Sequence, residues 1–412
     1  MRTGNTRVGP ASGTAPLRAA YRALRYRIDL GATSLAHRIR AAPEPRRLLL
    51  VSDATEYTSE QQLAPFRRHR AQLRSRLGLA TLHRLDAELR GDALACLASF
   101  DLVLFKLSFR TSGARAIARA RELASAKGSA RLVYFDGDDD ACVLWPDLLE
   151  HVDLYVKKQV FRDPAQYQRS FVGKSNLTDH VHRTSGVSFA EDIIPAAGPV
   201  DPRLARRIHL GFNVACDDKI VETYQKSLAW PELERDNDVI CRASVPADNW
   251  IRGLREPASE RISALADRVR VLTPSQRVPQ DVYYDEMRRS RICVSPFGYG
   301  EVCWRDFEAI LCGCLLVKPD MSHLRTEPDI FRPFETFVPV RWDYSDLEEK
   351  CLHYLHDEAE RRRIVERAHA VLADYYRSDR VLDQVAEMLH ALGLAEGAAA
   401  PGLVPDGRNL RS

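Results

Sequence analysis

Long hydrophobic runs are absent from this sequence. No stretch in its 412 residues approaches the roughly eighteen consecutive apolar residues that a membrane-spanning helix needs. The N-terminus also lacks the compact apolar run and the small-residue cleavage site of a secretory signal. We therefore expect a cytoplasmic protein that has no membrane span.

Cysteine and lysine are both sparse. The nine cysteines are odd in number and scattered along the chain, which favours small buried residues in a reducing compartment over a disulfide framework. They show no paired spacing with matching histidines, so a structural zinc site is not expected. Only nine of the 60 basic residues are lysines, an arginine bias that indicates a GC-rich bacterial genome.

Charge of one sign is concentrated at one end. The formal net charge is only +3, yet residues 1–47 hold ten arginines against Asp29 and Glu44. Because this basic character is local, nucleic-acid binding is not expected. Residues 1–15 should be disordered, and residues 17–40 should form a basic amphipathic helix. Such a helix would either dock on the first domain or make a peripheral contact with an anionic membrane surface.

Alternating strands and helices dominate the rest of the chain. Buried strands are predicted at residues 48–52, 102–107, 132–135, 154–156 and 208–212, with helices at 59–77, 86–99 and 114–126. After an irregular segment at 171–213, strands are predicted at 239–241, 269–272, 292–295, 315–317 and 337–340, with helices at 257–265, 281–290, 304–312 and within 345–392.

This alternation predicts an α/β fold with two mostly parallel, doubly wound sheets. The units are residues 1–46 as tail and helix, 47–210 as the first domain, 211–376 as the second, and 377–412 as a C-terminal helix and loose tail.

The window from Ser295 to Val317 is the part of the sequence that is most informative about function. Gly298 and Gly300 precede a predicted helix, whose N-terminal amides attract phosphate oxygens. Arg305 and Glu308 share one face of that helix, so the arginine can hold a diphosphate while the carboxylate accepts hydrogen bonds from ribose hydroxyls. Alternatively, the two residues form a simple surface pair.

Another arginine is a candidate for the same ligand. Arg242 ends the first strand of the second domain, at the sheet edge where open parallel sheets bind ligands, and is a second diphosphate candidate. An exposed loop arginine is an equally good interpretation of Arg242.

The window resembles the donor-binding motif of GT-B glycosyltransferases, particularly the group-1-like and exostosin-type families. Those families place an arginine three residues before a Glu-Ala pair and Gly-Cys five residues after the Glu, here Arg305, Glu308-Ala309 and Gly313-Cys314. The resemblance covers roughly residues 238–345. It implies a GT-B fold, in which two Rossmann-like domains face an interdomain cleft, and a nucleotide-sugar donor.

One position departs from the family pattern. Many retaining members carry two glutamates separated by seven residues, and the place of the first is taken here by Gly300, with Glu301 one position along. The sequence therefore leaves open whether transfer retains or inverts the anomeric configuration.

Carboxylates follow two strands of the first domain. Asp136, Asp138 and Asp139 end a buried strand, and Glu56 lies in the loop after the first strand. We expect these residues on the acceptor side of the cleft, where a carboxylate can act as general base. Metal binding by residues 136–140 is a less favoured alternative, and a helix-capping acidic turn is a third.

Lysines and an asparagine near the same edge suit a phosphate-bearing acceptor. They are Lys157, Lys158, Lys174 and Asn176.

The sequence thus predicts an enzyme that transfers a sugar from a nucleotide-sugar donor to a saccharide or lipid-linked acceptor in glycan or polysaccharide biosynthesis. No cofactor is required, and a divalent metal is possible but not favoured. Two alternatives stay open: a non-catalytic nucleotide- or sugar-binding protein with the same fold, and a metal-dependent transferase that uses residues 136–140.

Overall fold

A computed structural model describes residues 45–55, 58–189, 198–273 and 277–394. The predicted helix at 17–40, the candidate base Glu56 and the tail after residue 397 lie outside the described residues. Among the described residues, no helix is both long and apolar enough to cross a membrane.

The first half of the chain builds a six-stranded parallel sheet. Its strands follow the order β2-β1-β3-β4-β5-β7, and a short strand β6 lies outside it. The strands are β1 (Arg46–Ser52), β2 (Leu79–Leu85), β3 (Leu102–Lys106), β4 (Arg131–Phe135), β5 (Leu154–Lys157), β6 (Val160–Phe161) and β7 (Ile208–Leu210). Leu48, Leu49 and Leu50 are completely buried because both faces of the sheet are covered.

Helices cover both faces of this sheet. They are α1 (Ala64–Arg68), α2 (Arg70–Leu77), α3 (Gly113–Ala126), α4 (Asn176–Ser185) and α5 (Pro202–Ala205). Several elements differ from the sequence-based expectation. The edge strand β2 was not predicted, and the helix predicted at 86–99 consists of 3-10 turns at Asp86–Glu88 and Gly91–Ser99. Residues 171–213, predicted to be irregular, include α4, which begins after the capping residue Ser175.

The second half builds a five-stranded parallel sheet in the order β13-β11-β10-β8-β9. The strands are β8 (Asn237–Ile240), β9 (Val271–Leu272), β10 (Ser290–Val294), β11 (Leu315–Pro319), β12 (Leu324–Arg325), which lies outside this sheet, and β13 (Val338–Val340). The helices are α6 (Asp218–Ser227), α7 (Arg252–Ser263), α8 (Gln280–Arg288), α9 (Trp304–Leu311) and α10 (Leu347–His356). The predicted strand, loop, helix and strand of the 295–317 window are confirmed as β10, α9 and β11.

A strand pair and a C-terminal helix both join the halves. Strand β6 pairs antiparallel with β12, so that Phe161 lies opposite Leu324. The chain then returns through α11 (Glu358–Arg377) to α12 (Arg380–Ala391), whose Met388 and Leu389 pack in the same core cluster as Leu48. Two Rossmann-like sheets linked in this way confirm the predicted GT-B fold.

Candidate active site

The loop after β10 lies at the carboxyl edge of the second sheet, beside the centre of its strand order. The carboxylate of Asp306, in the first turn of α9, fixes the base of the loop. It accepts hydrogen bonds from the Ser295 hydroxyl at 2.5 Å and the Cys303 amide at 2.9 Å, and it lies 3.2 Å from the Lys318 ammonium. All three of Ser295, Asp306 and Lys318 are completely buried, so the loop has a rigid foundation.

Arg305 points into this loop without a carboxylate partner. Its guanidinium donates to the Ser295 hydroxyl at 3.1 Å, the Pro296 carbonyl at 3.1 Å and the Arg242 carbonyl at 3.2 Å. Among the described residues, no carboxylate forms an ion pair with Arg305. Its positive charge is therefore oriented by the protein and left uncompensated.

Arg255 on α7 shows the same pattern beside it. Its guanidinium donates to the carbonyls of Phe297 at 3.2 Å and Ser244 at 2.8 Å. Burial and then the positive charge of Arg305 lower the pKa of Arg255. Two arginines that repel each other across one loop form a site that an anion would stabilise.

Arg242, the other predicted diphosphate ligand, is differently placed. Its guanidinium forms a two-pronged ion pair with the carboxylate of Glu286 on α8. The carboxylate compensates its charge, and the main-chain carbonyl of Arg242 supports Arg305. Arg242 therefore contributes to the site by positioning.

Glu308 lies one turn further along α9 and is almost completely buried. Its carboxylate accepts hydrogen bonds from Lys219 of α6 at 2.5 Å, from Tyr283 at 2.9 Å and from Tyr284 at 3.1 Å. Burial and the charge of Glu308 raise the pKa values of both tyrosines, so their hydroxyls stay protonated and donate. Three donors thus orient one carboxylate.

Lys219 was not identified from the sequence. Its ammonium also lies 4.5 Å from the centre of the Trp304 ring, a cation–π contact, and its side chain is 35% exposed. It stands 89 residues before Glu308 in the chain. The only feature of the sequence that could have pointed to Lys219 is the rarity of lysine in this chain.

Residues 295–303, between β10 and α9, are called the donor loop after the donor-binding motif that the window resembles. Gly300 is where this loop meets the first domain. A Cβ atom at this position would lie 1.7 Å from the carbonyl oxygen of Asp139. Only glycine allows so close an approach. At Gly298, a Cβ would lie 3.1 Å from the guanidinium of Arg255, so the glycine leaves room for that side chain.

Asp136 is a completely buried carboxylate in the core of the first domain. It accepts hydrogen bonds from the Tyr155 hydroxyl at 2.7 Å, the Lys157 ammonium at 2.8 Å and the Asp138 amide at 2.8 Å. These contacts hold the residues that follow β4 in place. The geometry gives Asp136 and Lys157 a supporting role and no access to a substrate.

Lys174 neutralises two neighbouring carboxylates. Its ammonium lies 2.6 Å from Asp138 and 3.0 Å from Asp140. Burial would raise the pKa of Asp138, but Lys174 and Lys157 outweigh it and lower that pKa. For Asp140 burial prevails over Lys174 and raises the pKa to about 7.

Asp139 differs from its neighbours because its side chain is 40% exposed. Its carboxylate accepts a hydrogen bond from Lys158 at 2.7 Å, and its main-chain oxygen accepts one from Gln159 at 2.5 Å. Of the three predicted catalytic aspartates, Asp139 alone combines exposure with contact to the donor loop. Within the described part of the chain, no group of three or more His, Cys, Asp and Glu side chains is placed to hold a metal ion.

Sequence reasoning missed a second contact between the domains. Glu301 is completely buried and accepts a hydrogen bond from Gln159 at 3.2 Å, while its other oxygen lies 3.9 Å from the His323 ring. The predicted acceptor residue Asn176 lies 3.5 Å from the same ring of His323. The domains are therefore joined by polar contacts on either side of Gly300.

Comparison with known families gives one match. Residues 249–387 match the family described as "Glycosyl transferase-like". This stretch contains Arg255, Arg305 and Glu308, and the match confirms the resemblance to glycosyltransferases that the window predicted. The exostosin-type label stays a prediction. A search of curated proteins found no match.

Several solved structures are distantly similar. A glycosyltransferase from Rickettsia africae is 10% identical, with 86% of this chain and 100% of that chain covered and a TM-score of 0.42. A UDP-forming trehalose-phosphate synthase from Burkholderia xenovorans is 12% identical, with coverage of 86% and 100% and a TM-score of 0.42. A UDP-GlcNAc 2-epimerase from Neisseria meningitidis is 10% identical, with coverage of 83% and 100% and a TM-score of 0.40. These likenesses are too distant to indicate a substrate.

Proposed function

We propose that the chain is a glycosyltransferase with the GT-B fold, which moves a sugar from a nucleoside-diphosphate donor to a saccharide or lipid-linked acceptor in bacterial glycan biosynthesis. The proposal places the enzyme in the cytoplasm and includes recruitment to the inner face of the membrane through residues 17–40. It requires no resident metal.

The observation that carries the donor assignment is the pair Arg255 and Arg305. Both guanidiniums donate to main-chain carbonyls around the donor loop, and neither has a carboxylate partner among the described residues. Holding two cations together costs free energy unless an anion compensates them. A diphosphate supplies two or more negative charges and several acceptor oxygens to such a pair.

Glu308 then lies at the nucleoside end of the same site. It is three residues from Arg305, on the same side of α9, and its carboxylate is fixed by Lys219, Tyr283 and Tyr284. Ribose hydroxyls are donors, so they can replace the tyrosine hydroxyls on this carboxylate. The half-buried ring of Trp304 and the ammonium of Lys219 form the rim on which a base would rest.

On the acceptor side, Asp139 is the carboxylate proposed to act as general base. It is partly exposed, touches Gly300 through its main chain, and is held by Lys158. In the transfer, the acceptor oxygen bonds to the anomeric carbon and its proton passes to the carboxylate. The bond between the anomeric carbon and the diphosphate breaks, and the electron pair leaves with the diphosphate toward Arg255 and Arg305.

The geometry supports metal-independent transfer over the metal-dependent alternative. Asp138 and Asp140 both face Lys174, which occupies the position that a bridging cation would need. Activity should therefore persist in EDTA. Complete loss in EDTA with recovery in manganese would favour the metal-dependent transferase.

Calorimetric titration tests the donor site directly. Arg305→Ala should weaken UDP or GDP binding about ten- to a hundredfold and leave uridine or guanosine binding nearly unchanged, because its partner is the diphosphate. Glu308→Ala should weaken the nucleosides as well as the diphosphates.

The matched control is Arg252→Ala. Arg252 lies on the same helix as Arg255, but its side chain is 50% exposed and paired with Glu256. Its replacement should leave every affinity unchanged. If folded Arg305→Ala and Glu308→Ala proteins bind all ligands like the parent, the donor site lies elsewhere. Binding without any turnover of nucleotide sugars would favour the non-catalytic alternative.

A further inference from the structure

A pocket of about 730 Å³ lies between the two halves of the molecule, apart from the donor loop. The first half contributes side chains from β6, from the segment before α4 and from α4 itself. The second half contributes Asp320, Ser322 and His323, which follow β11, and Trp342, which follows β13. Arg255, Arg305 and Glu308 do not line it. Its volume lies within the range of sites for small organic ligands.

The lining is aromatic and polar. Five ring side chains line the pocket: Phe161, Phe171, His180, His323 and Trp342. The other described lining residues have planar charged or amide side chains or small hydroxyl side chains. The large apolar side chains in the described lining are therefore all aromatic.

Trp342 forms a rigid platform in this pocket. Its indole N–H donates to the Asp320 carbonyl at 3.0 Å. The rings of Phe297, His180 and His323 pack edge-on against it, with centroids at 5.0, 5.1 and 5.3 Å. A half-buried indole that is fixed in this way offers a flat surface at little cost in conformational entropy.

Polar groups surround the aromatic surface. Arg162 donates to the carbonyls of Ser322 at 3.0 Å and Leu324 at 3.1 Å, and Arg169 lies over the ring of Phe171 at 5.3 Å. Asn176 and Asp320 add amide and carboxylate groups to the lining. A sugar ring presents C–H groups on its faces and hydroxyls at its edge, which match an indole surface bordered by planar hydrogen-bonding groups.

The pocket shares a wall with the donor site. Phe297 packs against Trp342 on one side and accepts a hydrogen bond from Arg255 through its carbonyl at 3.2 Å on the other. His323, which lines the pocket, lies 3.9 Å from a buried oxygen of Glu301 that has no hydrogen-bond partner among the described residues. Glu301 directly follows Gly300 in the donor loop.

We propose that this pocket binds the acceptor and that the part it binds is a saccharide of about two rings rather than a lipid chain. The inference rests on the proposed function and specifies the acceptor end of the same cleft. One face of a sugar ring stacks on the indole of Trp342, and the arginine, asparagine and aspartate side chains form hydrogen bonds with the sugar hydroxyls.

Saturation-transfer NMR with a panel of neutral and amino-sugar disaccharides, recorded both with and without saturating UDP, tests the proposal. At least one disaccharide should bind the parent protein in the millimolar range. Trp342→Leu should weaken that binding about tenfold or more, whereas Trp342→Phe, which keeps a ring, should stay within about threefold. UDP affinity should be unchanged in both variants.

Two further variants make the result specific. Phe334→Leu replaces an exposed aromatic ring that does not line the pocket and should leave disaccharide binding unchanged. Arg169→Gln changes only an exposed rim residue, so it stays informative if Trp342→Leu fails to fold, and it should weaken disaccharide binding about threefold.

Disaccharide binding that is absent in the parent, or unchanged in folded Trp342→Leu and Arg169→Gln proteins, would overturn the proposal. Displacement of the disaccharide by a prenyl phosphate that carries no sugar would also overturn it. Failure of UDP to bind the parent would instead count against the proposed donor site, because the disaccharide titration without UDP reports on the pocket separately.

Discussion

The carboxyl edges of the two sheets handle charge in different ways. At the edge of the first sheet, Lys157, Lys158 and Lys174 each face an aspartate within 3 Å. At the edge of the second sheet, Arg255 and Arg305 face main-chain carbonyls and each other. Each of these lysines is thus paired with a carboxylate, whereas Arg255 and Arg305 have no carboxylate partner among the described residues.

This difference distinguishes charges that stabilise the fold from charges that are available to bind a ligand. A buried lysine and aspartate that satisfy each other are costly to disrupt and contribute rigidity. Arginines that are oriented by neutral carbonyls keep their charge available for a ligand. The predictions that follow test each edge and then the contact between them.

The largest effect is expected from Asp136→Ala at the first edge. It leaves the completely buried Lys157 ammonium without its carboxylate, so the free energy of unfolding should fall by about 3–5 kcal/mol. Urea denaturation measures the loss. Asp285→Ala, which removes a 61% exposed carboxylate paired with Arg288, should cost less than about 1 kcal/mol. Equal losses for the two variants would contradict the structural role of Asp136.

The next largest effect is expected where the edges meet. In Gly300→Ala, the added Cβ would lie 1.7 Å from the Asp139 oxygen, so the donor loop must move away from the first domain. Turnover should fall up to about a hundredfold, because a displacement of 1 Å disrupts the reacting geometry, while UDP affinity stays within about threefold. Steady-state kinetics and calorimetry measure the two quantities.

Gly198→Ala is the control for this substitution, since a Cβ at residue 198 meets no atom of the described residues within 4 Å. Parent-like turnover in Gly300→Ala would show that the close contact of the domains is not needed for transfer.

The smallest effect is a pH dependence at Asp140. Because its folded-state pKa is raised to about 7 from 3.8, the group stabilises the fold fully below about pH 4 and this contribution is lost as pH rises through 7. Asp140→Asn removes the titration. The melting temperature of the variant relative to the parent should therefore rise by a few degrees, roughly 2–4 °C, between pH 5 and pH 8.

The exposed Asp92→Asn change provides the comparison for this measurement, because it should show no such trend. A constant difference between Asp140→Asn and the parent across this pH range would mean that Asp140 does not titrate there.

Local sequence predicts local structure well in this chain. Leu48, Leu49 and Leu50 form a fully buried strand because an uninterrupted apolar run suits a sheet covered on both faces. The order of strand, glycine loop and helix around Arg305 was predicted because each signal lies within a few residues of the next. Strand β2 was not predicted because His83 and Arg84 interrupt its apolar pattern at a sheet edge.

The charge partners could not be predicted, because they come from distant parts of the chain. Arg242 and Arg255 look alike in sequence, and only Glu286, 44 residues after Arg242, distinguishes a compensated arginine from a free one. Lys219 reaches Glu308 across 89 residues. Lys174 lies 36 residues after Asp138. It was predicted to bind the acceptor, but in the structure it pairs with Asp138, which was predicted to be catalytic.

The return of α12 to the first sheet has a consequence for synthesis of the protein on the ribosome. The core beneath Leu48 and Leu50 includes Val385, Met388 and Leu392, so the first domain to be translated lacks part of its interior until residue 392 has emerged. Domains that complete their cores during translation can fold in the order in which they are made. Here the core of the N-terminal sheet is incomplete until the second domain and α12 have been synthesised. The nascent chain therefore exposes an apolar face that α12 covers in the folded protein.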